Sequence, residues 1–178
     1  MKTYSMKIAG LERELPLCPV NEGLDIAAFI MFSDVEITVA SAKALLEKCP
    51  EFDVLLTAET KGIPLAYEMS RQSGINYVVA RKSVKVYMTD PISVELRSIT
   101  TEHVQTLYLS KEDRQRIEGK KVLIVDDVIS TGESLEALEK LTNEAGGIIA
   151  GKAAVLAEGA AADREDIIFL EKLPVFPK

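Results

Sequence analysis

The chain has 178 residues, 47% of them hydrophobic, which is enough for one compact domain and leaves no room for a second large one. Its 21 Lys and Arg against 28 Asp and Glu give a formal net charge of −7, which argues against nucleic acid as a partner because phosphate backbones are held by clustered cations. No apolar run is long enough to cross a bilayer, no secretion signal opens the chain, and Cys18 and Cys49 form no CxxC pair. We therefore expect a cytoplasmic protein that binds neither nucleic acid nor membranes.

The first predicted elements lie in the N-terminal half. The irregular apolar stretch AAFIMFSDV precedes a stripe of apolar residues at helical spacing, which predicts a helix over residues 35–48. From Asp53 onward, apolar runs alternate with helical segments. DVLLTA and INYVVA predict strands, and residues 63–73 between them predict a helix. This alternation is typical of an α/β fold with a mainly parallel central sheet flanked by helices.

Residues 81–118 interrupt the alternation. ISVELRSIT and VQTLYL both alternate as strands do, and a polar connector lies between them. We expect an exposed hairpin there. The parallel pattern resumes with KVLIVDD from Lys121, a central strand, then a turn, then a helix that ends near Gly146. IIAGKAAVLAEG and DIIFLEK predict two further strands, the second at an edge of the sheet.

The strongest chemical feature is VLIVDDVISTGES, from Val122 to Ser134. Ligands of open α/β sheets bind beyond the carboxyl ends of the strands, where this segment places Asp126 and Asp127. The backbone N–H groups of the turn and the positive end of the helix dipole would converge on an anion such as a phosphate monoester. A plain helix cap beside two loop carboxylates is the alternative interpretation. A Walker loop is absent, because Lys120 and Lys121 lack its upstream glycine and its hydroxyl residue.

The whole run, a strand with two acids, two further residues and then STGxS, resembles the phosphoribosyl diphosphate (PRPP) signature of the type I phosphoribosyltransferases. A second match, TAETKGIPLAYEMS from Thr57, is similar to the diphosphate-binding turn of the purine members. The resemblance covers most of the chain. It implies a type I phosphoribosyltransferase fold as a single domain over residues 1–178. A small hood would come from about residues 1–35 and the C-terminal segment, and the hairpin would carry a mobile loop.

The resemblance also implies how PRPP is bound. Asp126 and Asp127 would hold the ribose hydroxyls and lie near the positive charge that develops at the anomeric carbon. A loop lysine such as Lys61 is otherwise most often simply solvated. The implied 5-phosphate-binding residues are Ser130, Thr131, Gly132, Glu133 and Ser134. The implied diphosphate-binding residues are Glu59, Thr60, Lys61, Gly62, Arg81, Lys82 and Lys85.

The hairpin connector corresponds to the mobile catalytic loop of the family. Glu102 matches the glutamate that adenine enzymes carry there, so it is the candidate acid/base contact with the purine, and His103 stands where those enzymes have an aromatic residue. The alternative is that both side chains are merely solvated at a hairpin tip.

For the base, FSDVEI from Phe32 resembles the Phe-Arg-Asp-Ile segment that lines the purine pocket of adenine enzymes, with a serine in place of the basic residue. Xanthine enzymes use an asparagine in this region, and none is present here, which favours adenine. Simple core packing is the alternative role for AAFIMF. The implied base-binding residues are Met31, Phe32, Ser33, Val128 and Ile129.

The implied reaction transfers ribose 5-phosphate from PRPP to a purine, most directly adenine, with Mg²⁺ bound mainly through PRPP rather than by a dedicated protein site. The resemblance further implies a homodimer. Three alternatives stay open. TKGIPLAY is also very similar to the bacterial purine-operon repressor, which implies a PRPP-sensing regulator without transferase activity. A xanthine or hypoxanthine enzyme is the second alternative, and a pure interaction module, which fits two intact phosphate loops poorly, is the third.

Overall fold

The computed structural model describes residues 2–97 and 104–178. None of the helices in this described part combines the length and apolar character that a membrane span needs. The helices are α1 (Val35–Leu46), α2 (Ile63–Ser73), α3 (Lys111–Ile117) and α4 (Glu133–Glu144). The strands are β1 (Thr3–Ile8), β2 (Leu11–Asn21), β3 (Leu24–Ala27), β4 (Val54–Ala58), β5 (Tyr77–Ala80), β6 (Ile92–Arg97), β7 (Val104–Leu109), β8 (Lys121–Ile129), β9 (Ile148–Glu158), β10 (Ile168–Leu173) and β11 (Val175–Pro177).

A five-stranded parallel sheet with the order β10-β9-β8-β4-β5 forms the centre of the molecule. Its middle strands are apolar on both faces because both are covered: β4 is buried along its whole length, and Val122, Leu123 and Ile124 of β8 are fully buried. Helices α1 and α2 pack on one face, and α4 packs on the other together with β7 and α3. The predicted α/β fold with a parallel central sheet is confirmed, and β10 lies at the edge as expected.

A second, four-stranded sheet with the order β1-β2-β3-β11 comes from the two ends of the chain. The sequence analysis predicts no strands before residue 35. β1 does alternate exposed and less exposed residues, but the pairing of β11 with β3 joins segments far apart in the chain, which a local pattern cannot reveal. This sheet packs over the face that carries α1 and α2, with Ile8 and Leu15 in the shared core.

The hairpin predicted between residues 81 and 118 is present, because β6 and β7 pair in antiparallel register from Ile92↔Leu109 to Arg97↔Val104. It is tied to the central sheet through Arg81, whose backbone N–H and carbonyl both bond with Tyr108. Helix α3 was not predicted. Its N-cap is Ser110, whose hydroxyl accepts from the Asp113 N–H at 3.1 Å. The connector with Glu102 and His103 lies outside the described residues.

Candidate active site

The site lies where the carboxyl ends of β4, β8 and β9 meet at one edge of the central sheet. These strands are parallel neighbours, so the segments that follow them necessarily come together. The loop after β4 brings Lys61 and Gly62, β8 brings Asp126 and Asp127, and β9 ends at Glu158. The sequence analysis placed the first four of these at the site.

The two aspartates form a carboxylate pair in which Asp127 is buried and Asp126 is partly exposed. Asp127 is only 2% exposed, and its backbone N–H donates to Asp126 Oδ1 at 2.8 Å. Asp127 Oδ2 lies 3.3 Å from Lys61 Nζ, but within the described part of the chain it accepts no hydrogen bond. Burial, followed by repulsion from Asp127, raises the pKa of Asp126 well above that of an ordinary aspartate. Such a pair can accept hydrogen bonds from ligand hydroxyls and stabilise nearby positive charge.

The loop after β4 presses directly against this pair. A Cβ on Gly62 would lie 2.3 Å from Thr57 Oγ1 and 2.9 Å from Asp126 Oδ1, so only glycine fits here without displacing its neighbours. The Glu59–Thr60 peptide bond is cis. Lys61, the next residue, keeps a side chain that is 55% exposed while its ammonium lies beside Asp127. The loop therefore puts a cation at the carboxylates and leaves its outer side open to a ligand.

The other predicted diphosphate contacts form a separate cluster centred on Glu59. Its Oε2 accepts from the Lys82 backbone N–H at 2.8 Å, and its Oε1 lies 2.7 Å from Arg81 Nε. The Lys82 N–H and then the Arg81 and Lys85 charges outweigh desolvation and lower the pKa of Glu59. Arg81 also donates to the Tyr87 hydroxyl at 2.7 Å. Glu59 and Arg81 thus join the loops after β4 and β5, whereas the Lys82 side chain is exposed.

The STGES segment forms a small cup of about 50 Å³, lined by Asp126 and residues 128–135. Helix α4 begins here from Gly132, whose φ is +83°. The Glu133 N–H donates to Thr131 Oγ1 at 3.5 Å, and the cup lies at the positive end of the helix dipole, which favours an anion. Arg164 Nη1 lies 2.8 Å from where a Cβ on Gly132 would stand, but its Nε and Nη2 donate to the two Asp166 carboxylate oxygens at 2.8 and 2.7 Å, so its charge is paired outside the cup. Arg164 lies in a polar segment with no motif, and only the fold brings it next to Gly132.

The predicted base contacts separate in the structure. The cavity next to the signature, about 310 Å³, includes Val128 but none of Met31, Phe32 and Ser33. Those three line another groove, of about 280 Å³, beside Tyr67. The reason is a turn: Ser33 has φ +66°, and the Asp34 N–H donates to the Met31 carbonyl as the chain enters α1. Ile129 is buried in the core on the α4 side and contributes to the phosphate cup instead.

Residues that line the cavity instead come from the end of β3 and from β9. Residues 26–30 form an apolar wall, with Phe29 buried and Ile30 exposed, and Glu158 stands at the end of β9. The motif search missed Glu158 because AEG has no motif of its own. Its position at the carboxyl end of a strand beside β8 is the signal that could have identified it.

Comparisons with known proteins agree with this geometry. The family model for the phosphoribosyl transferase domain matches residues 35–174. The adenine phosphoribosyltransferase of Rhodococcus jostii is 33% identical over 135 residues, which cover 76% of this chain and 74% of that enzyme. The purine biosynthesis transcriptional repressor PurR of Bacillus subtilis is 34% identical over 101 residues, 57% of this chain, and the match spans only 35% of the repressor.

The fold has counterparts among crystal structures. That of adenine phosphoribosyltransferase from Thermoanaerobacter pseudethanolicus superposes with a TM-score of 0.72 over 89% of this chain and 95% of the other, at 22% identity, and so shares its architecture. Together with the domain match over most of the chain, this supports the assignment made from the PRPP signature. The chain belongs to the phosphoribosyl transferase domain family.

Proposed function

We propose that this protein transfers ribose 5-phosphate from PRPP to a purine base, with adenine as the preferred acceptor, releasing diphosphate and a nucleoside monophosphate. One observation carries the proposal: in the Asp126–Asp127 pair, Asp127 lies 3.3 Å from the Lys61 ammonium and Asp126 lines the phosphate cup that the following turn and helix form. Carboxylates, a cation and an anion cradle are the three surroundings that the ribose, the diphosphate and the 5-phosphate of PRPP require.

Each group has a role set by its charge. Asp126 and Asp127 would accept hydrogen bonds from the ribose hydroxyls and stabilise the positive charge that grows at the anomeric carbon as its bond to diphosphate breaks. Lys61 would swing from Asp127 towards the departing diphosphate. The cup of residues 130–134 would hold the 5-phosphate, so that binding energy away from the reacting atoms orients the ribose.

Glu102 stays the predicted acid/base contact with the purine, and Arg81, Lys82 and Lys85 stay predicted diphosphate contacts. For the last group the loops must rearrange, because Arg81 is held by Glu59 and Tyr87. We also infer that the four-stranded sheet acts as the hood, since residues 26–30 at the end of β3 line the cavity beside the signature. A homodimer is inferred from the family resemblance, and a cytoplasmic location from the cysteine spacing and the lack of a secretion signal in the sequence.

The residues at the site fit a Mg²⁺ ion that is bound jointly by the protein and by PRPP. In the described residues, no cluster of three or more His, Cys, Asp or Glu could hold a metal alone. Two neighbouring carboxyl groups are available, the partly exposed Asp126 and the buried Asp127, whose Oδ2 lacks a hydrogen-bond donor within the described residues. Mg²⁺ is commonly bound by one or two carboxylates together with substrate phosphates, so Asp126 and Asp127 would contact it through PRPP and its waters. Bound there, Mg²⁺ would neutralise charge on the diphosphate.

A second candidate function is PRPP sensing without transfer. It is favoured by the identity shared with the PurR repressor and by the engagement of Arg81 within its own loop cluster. The sensor would use the same carboxylates and cup to bind PRPP, so the two candidates differ only in whether a base reacts.

Incubating the protein with PRPP, Mg²⁺ and adenine, hypoxanthine, guanine or xanthine in turn separates the candidates. We expect nucleotide and diphosphate to form in equal amounts, fastest with adenine. PRPP binding measured by calorimetry, without product from any base, would favour the sensor. Fastest turnover with an oxopurine would keep the transferase and overturn the adenine preference.

A further inference from the structure

Glu158 is a carboxyl group that the proposed chemistry leaves unused. It ends β9 and lines the cavity of about 310 Å³ together with Lys61, Val128 and Ser130. The other lining residues are apolar: Ile26, Ala27, Ala28, Phe29, Ile30 and Leu173. A mostly apolar concavity of this size with a few convergent polar groups is typical of a site for a small heterocycle.

Nothing in the described protein satisfies this carboxyl. No hydrogen bond or salt bridge joins the Glu158 side chain to another described residue, and the one cation that acts on it, Lys61, lies 3.3 Å from Asp127 instead. Partial burial raises the pKa of Glu158, and the Lys61 charge only partly offsets this. A ligand donor in the cavity can therefore bond to this carboxyl in place of water, without breaking a contact within the protein.

The chemistry of a carboxyl group limits which ligand edge fits. An ionised carboxylate only accepts hydrogen bonds, and a neutral one accepts as well as donates. An amino group on a heterocycle can therefore donate to Glu158 whether the carboxyl is ionised or neutral. A ring carbonyl next to the ionised carboxylate would instead bring two hydrogen-bond acceptors together, which is unfavourable. The apolar wall at Phe29 and Val128 can cover the faces of a ring but provides no side chain that would read its edge.

We propose that Glu158 determines base specificity by accepting a hydrogen bond from the 6-amino group of an aminopurine, and that it disfavours 6-oxopurines. The proposal rests on the proposed function, since it takes the cavity beside the PRPP signature as the base site. It assigns the choice of base to β9 rather than to the Met31–Phe32–Ser33 segment, which lines the other groove.

The test uses AMP and IMP, which differ in an amino against an oxo group at position 6 and bind without turnover when diphosphate is absent. Their dissociation constants are measured by calorimetry for the wild type, Glu158→Gln and Glu158→Asp. Glu171→Gln is the control, because Glu171 is an exposed carboxylate on the neighbouring strand β10. Thermal unfolding of each variant reports whether it is folded, and Glu158→Asp keeps the charge should the glutamine variant fail to fold.

We expect the wild type and Glu171→Gln to bind AMP roughly tenfold to a hundredfold more tightly than IMP. In Glu158→Gln the ratio should fall to within about threefold, because an amide can also donate to the oxo group. Glu158→Asp should keep a preference for AMP. An unchanged AMP-to-IMP ratio in Glu158→Gln, or no AMP preference in the wild type, would overturn the proposal. A wild type that prefers AMP but forms none from PRPP and adenine would refute the transferase and leave Glu158 as the reader of the base.

Discussion

At the scale of single residues, the burial of Asp127 is the clearest sign that this part of the fold serves a ligand rather than stability. A carboxylate that is 2% exposed and has one lysine at 3.3 Å is a poor contributor to stability, because removing it from water costs more than one imperfect ion pair returns. Asp126 beside it adds a second acid in the same environment. This arrangement is explained by a ligand that donates hydroxyls or carries a cation, and it implies that the unliganded site is electrostatically strained.

That strain has a predicted pH dependence. Because burial and Asp127 raise the folded-state pKa of Asp126 above its ordinary value of 3.8, the folded protein holds a proton that the unfolded chain releases. The stability that this proton brings is fully present below the unfolded pKa and is lost as the pH rises towards the folded pKa. Urea unfolding of the wild type and Asp126→Asn at a series of pH values measures it. From pH 4 upward, the free energy of unfolding of the wild type should fall relative to that of Asp126→Asn. Parallel pH curves would contradict the burial of Asp126.

Gly62 is the residue whose size the site fixes most tightly. In Gly62→Ala the new methyl group would lie 2.3 Å from Thr57 Oγ1, so the loop must move away from β4 and β8. We expect a loss of about 1–3 kcal/mol in the free energy of unfolding, measured with urea, and weaker PRPP binding. Gly23→Ala is the matched control, since its Cβ would meet nothing closer than 3.7 Å. Equal behaviour of the two variants would show that the loop is not packed against Asp126.

Motif and strand position predicted Asp126, Asp127, Lys61 and Gly62, since the ends of neighbouring parallel strands must meet. The predicted base contacts stay a prediction, but the structure separates Met31, Phe32 and Ser33 from Val128, because the backbone turn at Ser33 redirects the chain in a way that a resemblance does not reveal. Arg164 reaches the phosphate cup only through tertiary structure, so no local pattern announces it.

At the scale of elements, helix α4 begins from Gly132 at φ +83°, and its first residues line the phosphate cup. Gly132→Ala forces a residue with a Cβ into φ +83° and against Arg164 Nη1, which should destabilise the protein by about 1–2 kcal/mol and displace the cup. Calorimetry should show PRPP affinity reduced by roughly tenfold or more.

A matched control separates strain from ligand binding. Gly74, the C-cap of α2, has φ +73° with nothing within 4 Å of its potential Cβ, so Gly74→Ala carries a similar backbone strain away from the site. It should lower stability and leave PRPP affinity unchanged. Equal PRPP affinities in Gly132→Ala and Gly74→Ala would mean that the cup does not bind the phosphate.

The strands of the central sheet and the helices α1, α2 and α4 packed on it were predictable from their sequences. Their apolar residues follow the spacing of a buried strand or of a helix over the full length of the element. α2 and β8 begin at the predicted residues, Ile63 and Lys121. The four-stranded sheet was not predictable in this way, since its strands are short or half-exposed and β11 pairs with a strand near the opposite end of the chain. α3, at seven residues, is too short to show a helical period.

At the scale of the whole molecule, Arg13 joins the small sheet to helix α1 through ion pairs with Asp34 and with Glu36, whose Oε2 lies 2.8 Å from Arg13 Nη2. Arg13 of β2 donates to Asp34 Oδ2 at 2.8 Å and Oδ1 at 3.1 Å, and Asp34 is also the N-cap of α1, accepting from the Ile37 N–H. Asp34→Ala removes both roles and should cost about 1–2 kcal/mol in urea unfolding, whereas Asp34→Asn keeps a cap and should cost less than about 1 kcal/mol. Equal losses would show that the ion pair, and not the cap, stabilises this junction.

The net charge of −7 is compatible with a phosphate ligand because the charges at the site are arranged locally. The positive end of the α4 dipole lies at the cup and Lys61 lies beside Asp127, while Asp126 and Asp127 account for part of the surplus acid. Global charge therefore argues against DNA and carries no weight against PRPP.

The central claim, transfer at the end of β8, is tested most directly by measuring AMP formed per diphosphate released from PRPP, adenine and Mg²⁺. The account predicts a one-to-one ratio for the wild type. It predicts that Asp127→Asn folds normally yet forms AMP at least roughly a hundredfold more slowly, because the buried carboxylate stabilises the developing positive charge. Unimpaired AMP formation by Asp127→Asn, or none by a wild type that binds PRPP, would contradict it.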